Sequence, residues 1–207
     1  MKFSTLLAPL ALAQSALAAD WYFLRYYTAS SSQKFTSFTG EMVIPTLPKA
    51  GTYYLWPGLQ PTDNSGVYQN VLDGRSGTWW FGSGWCCSNP SLPWGSGFNT
   101  YAGETVKFEN VLEGDGSAWS STIVHETSKS FNQVLFAIEL TGVSWDFGAL
   151  EFKNVVITAT GTDSSWCDNS PENYNNAAKY SISGVKASVS GNVVTCTISS
   201  VILQSPA

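Results

Sequence analysis

Residues 35–69 carry the clearest pattern in the chain: FTSFTGEMVIP alternates apolar and polar positions up to a proline, YYLW runs into Pro57-Gly58, and GVYQNVL follows. A period of two marks a half-buried β-strand, and the Pro-Gly pair punctuates it with a turn. Similar short runs recur at 105–109, 119–124, 134–140, 150–158, 180–189 and 193–203, separated by Gly, Asn, Asp, Ser and Pro. That spacing predicts an all-β protein built as one antiparallel β-sandwich. No stretch sustains a 3.6-residue period with caps, so helix is expected only as a short piece, best placed at 171–179.

The first residues change the picture of where the protein works. MKFSTLLAPLALAQSALA has one lysine, an apolar run and a small-x-small ending at Ala16-Leu17-Ala18, the layout of a cleaved signal peptide. Residues 1–18 are therefore expected to be removed on secretion, leaving 19–207 as a single sandwich domain. No later apolar run reaches the length needed to span a bilayer, so no membrane role is expected. Charged residues make up only 12%, the net charge is −5, and Arg25 and Arg75 are the two arginines. Such a surface offers no footprint for nucleic acid.

Cys86, Cys87, Cys167 and Cys196 form an even set in an oxidising compartment, so two disulfides are expected. A bond between the adjacent Cys86 and Cys87 would close a strained ring, which favours each of them joining one of Cys167 and Cys196. One histidine, His125, and no C-x-x-C spacing leave no zinc set, and no cofactor motif is present. No G-x-S-x-G elbow precedes any serine either. Chemistry must come from elsewhere. Residues 74–103 hold Trp79, Trp80, Phe81, Trp85, Trp94 and Phe98 among seven glycines, and read as a stapled aromatic loop or irregular strand pair. Tyr54 and Trp56 share a strand face in the segment leading to Gln69. With Trp80 and Trp85 they are the candidate substrate-binding residues, an aromatic wall suited to a flat apolar molecule, a sugar ring or a peptide side chain.

The order of Trp56, Gly58 and Gln69 after an F-T-x-x-x-G strand ending in Pro resembles the fungal glutamic peptidases, or eqolisins, and the wider group of secreted concanavalin-A-like proteins. The resemblance implies a jelly-roll sandwich in which Gln69 orients a water and stabilises the oxyanion. It also implies a glutamate acting as general base and acid, and the segment WDFGALEF places Glu151 in that role. Two departures stand against proteolysis. Leu59-Gln60-Pro61 follow Gly58 where the family carries Asp-Gly, and the first family-like strand begins about 15 residues after the expected cleavage site, which leaves no room for a prosegment.

In size, secretion signal and aromatic content the chain is also similar to the fungal hetero-Diels–Alderases of tropolone–sesquiterpenoid pathways, which join a quinone methide to a terpene alkene. That likeness implies a small, apolar substrate and catalysis by proximity and hydrogen bonding without a nucleophile. The expectation is thus a secreted cyclase of this type. An acid endopeptidase using Gln69 and Glu151, or a lectin-like binder using the tryptophans, are the other readings.

Overall fold

A computed structural model describes residues 18–87, 94–116, 118–121 and 130–206. The strands are β1 (Asp20–Tyr27), β2 (Phe35–Val43), β3 (Thr52–Gln60), β4 (Val67–Asp73), β5 (Trp79–Cys86), β6 (Phe98–Thr100), β7 (Thr105–Leu112), β8 (Trp119–Ser121), β9 (Gln133–Thr141), β10 (Leu150–Thr160), β11 (Glu172–Asn173), β12 (Lys179–Ser183), β13 (Lys186–Ser190) and β14 (Val193–Gln204). They form two seven-stranded antiparallel sheets, one ordered β11-β1-β9-β3-β4-β5-β6 and the other β12-β14-β10-β2-β7-β8, with β13 also pairing β14. The sandwich expected from the alternation is the one observed.

Alternation dictates which side chains meet between the sheets. Phe38 of β2, Phe108 of β7, Phe136 of β9 and Phe152 of β10 are fully buried and pack edge to face, with ring centroids 4.9–6.2 Å apart. Such pairs add to area burial because ring edges are positive and faces negative. One polar cluster interrupts this core. Buried Asn70 donates to Ser83 Oγ at 2.6 Å and to Ser121 Oγ at 2.8 Å, and accepts from Asn110 Nδ2 at 2.7 Å, tying β4 and β5 of one sheet to β7 and β8 of the other.

Three expectations need correction. The predicted strand at 180–189 is two strands, because Gly184 at φ +68 turns the chain between β12 and β13. The short helix lies at Ser165–Asp168 (α1), while 171–179 holds β11 and a 3-10 turn at Tyr174–Asn176. The disulfides join Cys167 to Cys196 and Cys86 to Cys87. Cys167 on α1 and Cys196 on β14 are both buried in the core with Cα atoms 5.6 Å apart, within the normal bonding range. Cys86 and Cys87 sit at the accessible end of β5 in the opposite sheet, so only each other is in reach. Residues 1–17, His125 and the 88–93 segment lie outside the described residues.

Candidate functional site

The candidate site lies on the outer face of the β1-containing sheet. Along β4, Tyr68, Asn70 and Leu72 point into the sandwich, so Gln69, Val71 and Asp73 point out. Along β5 the same parity turns Trp79, Phe81, Ser83 and Trp85 inward and Trp80, Gly82, Gly84 and Cys86 outward. The segment read as a stapled aromatic loop or irregular strand pair holds in part a regular strand, paired with β4 from Val67↔Cys86 to Asp73↔Trp80.

A groove of about 400 Å³ lies on this face. Its floor is Gln69, Val71 and Asp73 of β4, with Tyr54 of β3 and Glu139 of β9 on one side and Trp80, Trp94 and Cys86 on the other. The two indoles lie flat because glycine makes room for them. A Cβ built on Gly82 would overlap the six-membered ring of Trp80, and one built on Gly84 would stand 2.7 Å from Cε3 and 2.8 Å from Cε2 of Trp94. A Cβ built on Gly97, at φ +58 in the loop before β6, would likewise overlap the Trp80 indole. Trp94 is held at its neighbour, where Gly95 N–H donates to the Ser83 carbonyl at 3.0 Å.

The polar groups differ in their electrostatics. Asp73 and Arg75 neutralise one another, with Nη2 donating to Oδ2 at 2.7 Å and Nε donating to the same oxygen at 2.9 Å. The guanidinium also stacks 5.3 Å from the Tyr54 ring centroid. Glu139 forms no ion pair among the described residues, and burial holds its carboxyl above the usual glutamate range. The Trp56 indole N–H approaches this carboxylate and favours its charged form, while falling short of a well-formed hydrogen bond. Gln69 is 6% exposed, and among the described residues no side-chain hydrogen bond fixes its amide.

Of the residues singled out from sequence, Tyr54, Gln69 and Trp80 come together in the groove. Trp56 shares their face but is buried, packing with Phe23, Val71, Leu135 and Ala137 as an apolar floor next to it. Trp85 does not join them: it points inward and packs on Phe131 at 6.3 Å, as the parity of β5 requires. Glu151 lies on β10 in the other sheet, where it pairs with Lys153 at 3.4 Å and accepts from Ser200 Oγ at 3.3 Å. It does not share a cleft with Gln69. The groove's carboxyl is Glu139, one of several acids the sequence makes available without selecting any; its signal is a lone acid within the apolar run Val134–Leu140. No group of three His, Cys, Asp or Glu side chains suited to a metal occurs among the described residues.

Register fixes how far apart these groups stand. Gln69 is opposite Gly58 of β3, and Gly58 is opposite Leu135 of β9. Tyr54 is opposite both Asp73 and Glu139. The position level with Gln69 on β9 is therefore an apolar side chain, and Glu139 lies four residues further along the strand, about 13 Å.

Two crystal structures of scytalido-glutamic peptidase, one with a peptide-based transition state analog and one with a transition state analog inhibitor, are similar to this chain. They are 15% and 16% identical to it, each with a TM-score of 0.47 over 88% of this chain and 99% of theirs. No protein-family model and no curated protein matches the sequence.

Proposed function

We propose that this protein is a secreted enzyme that binds a small, largely apolar, ring-containing molecule in the groove and promotes ring formation there by a hetero-Diels–Alder reaction. The observation that carries this reading is the wall itself: Tyr54, Trp80 and Trp94 surround one buried amide and one half-buried carboxyl. A cycloaddition requires reactants held in contact and a hydrogen bond that polarises the heteroatom of the diene. Gln69 donates from its amide NH₂ without changing charge. Glu139, kept protonated to higher pH by burial and about 13 Å further along the strands, donates from its O–H to a different oxygen of the bound reactants. The new C–C and C–O bonds form from the π electrons of the two reactants, so no proton, electron or leaving group passes to the protein.

A second reading, acid proteolysis, is favoured by one observation: Gln69 and Glu139 line the same groove. Against it stands the register, because amide and carboxylate must hold one water between them and Leu135 occupies the level position on β9.

The test is to incubate the purified protein with a quinone methide generated in place and a sesquiterpene alkene, and separately with a denatured protein at acid pH. Enantio-enriched adduct formed faster than the background, without peptide cleavage, is expected. Racemic adduct at the background rate would overturn the proposal, and clean cleavage abolished by Glu139→Gln would move the function to proteolysis.

A further inference from the structure

A second and wider cavity, about 780 Å³, adjoins the groove at the turn between β4 and β5. It shares Asp73, Arg75 and Trp80 with the groove and adds Ser76, Thr78 and Asn99. The two cavities have different chemistry. The inner groove is walled by three rings, whereas the outer one has a single ring, Trp80, and five side chains that hydrogen-bond.

These polar groups are arranged before any ligand arrives. Arg75 N–H donates to Asp73 Oδ1 at 2.9 Å, and the guanidinium grips the same carboxylate, so the pair offers hydrogen-bonding edges with no net charge. An anion would have to compete with Asp73 for Arg75, and a cation with Arg75 for Asp73. Ser76 Oγ donates to the Thr78 carbonyl at 2.9 Å and closes the turn. Asn99 is the cross-strand partner of Trp80, which places its amide beside the indole on the same face of the sheet. The indole is a flat apolar plane seated on Gly82 and Gly97.

A flat apolar plane ringed by hydroxyls, an amide and an ion pair of no net charge complements a saturated ring that carries C–H bonds on its face and hydroxyls around its edge. The geometry points to the outer cavity as a subsite for a neutral polyhydroxylated ring, a pyranose in the simplest case. The ligand of the whole site is then amphiphilic, with its apolar ring in the inner groove and its sugar over Trp80. This inference rests on the small-molecule reading of the inner groove.

Isothermal titration of the purified protein with 4-methylumbelliferone, with its β-glucoside, β-galactoside, α-mannoside and β-xyloside, and with the matching methyl glycosides tests it. At least one glycoside is expected to bind about tenfold more tightly than the free aglycone. Asn99→Ala and Thr78→Val, neither in the inner groove, are each expected to erode that advantage about threefold or more while leaving the dissociation constant of 4-methylumbelliferone unchanged. Absence of any glycoside advantage, or an equal loss for glycoside and aglycone in Asn99→Ala, would overturn the subsite. If the aglycone fails to bind while a methyl glycoside binds and weakens in Asn99→Ala, the reading of the inner groove falls and the subsite stands.

Discussion

Gly84→Ala probes the groove through a single methyl group. The backbone at Gly84 is not left-handed, so alanine meets no conformational penalty there, and the whole effect falls on Trp94. The added carbon would stand 2.7 Å from Cε3 and 2.8 Å from Cε2, whereas carbon atoms in contact prefer about 3.5–4.0 Å. The indole must therefore retreat by about 1 Å or swing off the strand. Trp94 is 42% exposed, so just over half of it is covered, on the order of 100 Å² of mostly apolar surface. At about 25 cal/mol per Å² full detachment would cost up to roughly 2.5 kcal/mol, and a partial lift about 1 kcal/mol. In a domain of this size that is a fall in melting temperature of about 2–10 °C. Binding should suffer more than folding, because the displaced ring is a wall of the groove: we expect 4-methylumbelliferone affinity to fall about tenfold. Thermal unfolding by circular dichroism and the same titration in parallel are the assays. If Gly84→Ala binds the aglycone with unaltered affinity and leaves the tryptophan emission unchanged, the indole is not a wall of the site and the reasoning fails.

Glu139→Gln should change how stability depends on pH. Burial raises the carboxyl's pKa in the folded state, so the native protein holds that proton more tightly than the unfolded chain, and stability declines as pH rises through and above the ordinary glutamate range. The glutamine variant lacks this decline, so it should match the parent in acid and be the more stable at neutral pH; a difference in melting temperature that is the same at both would refute it. Removing Cys167 and Cys196 together, whose bond spans a sequence separation of 29, should destabilise by roughly 3.5 kcal/mol on chain entropy, while replacing Cys86 and Cys87 by serine should cost little by that route. Equal losses in urea unfolding would contradict the pairing. Asn70→Ala strands Asn110 Nδ2 and weakens the hold on Ser83 and Ser121, and should cost about 2–4 kcal/mol by the same measurement. A loss below about 1 kcal/mol would mean that the cluster is satisfied in another way.

Where one face of a strand is buried and the other is wet, the sequence shows it. β7 alternates throughout and β2 does so from Phe38 onward, so their runs could be read directly. β9 could be located but not oriented, because both of its faces are apolar: Phe136 and Ile138 enter the core while Leu135 and Ala137 cover the outer face. That double burial hid Glu139 among residues that looked like core. β5 was obscured for the opposite reason, since Gly82 and Gly84 stand where outward side chains would normally announce the period, and their purpose is visible only when Trp80 and Trp94 lie across them. The disulfide pairing and the separation of Glu151 from Gln69 depend on which sheet each strand enters, which is a matter of long-range pairing that local pattern does not carry.

The most direct test of the account is the stereochemical course of the cycloaddition in the groove. With a quinone methide and a sesquiterpene alkene, the wild-type protein should give one enantiomer in excess, and Glu139→Leu, which removes the donor, and Trp80→Ala should each return the product toward the racemate at the background rate. A racemic product from the wild-type protein, or an enantiomeric excess untouched by either substitution, would contradict the claim that this groove is where the reaction takes place.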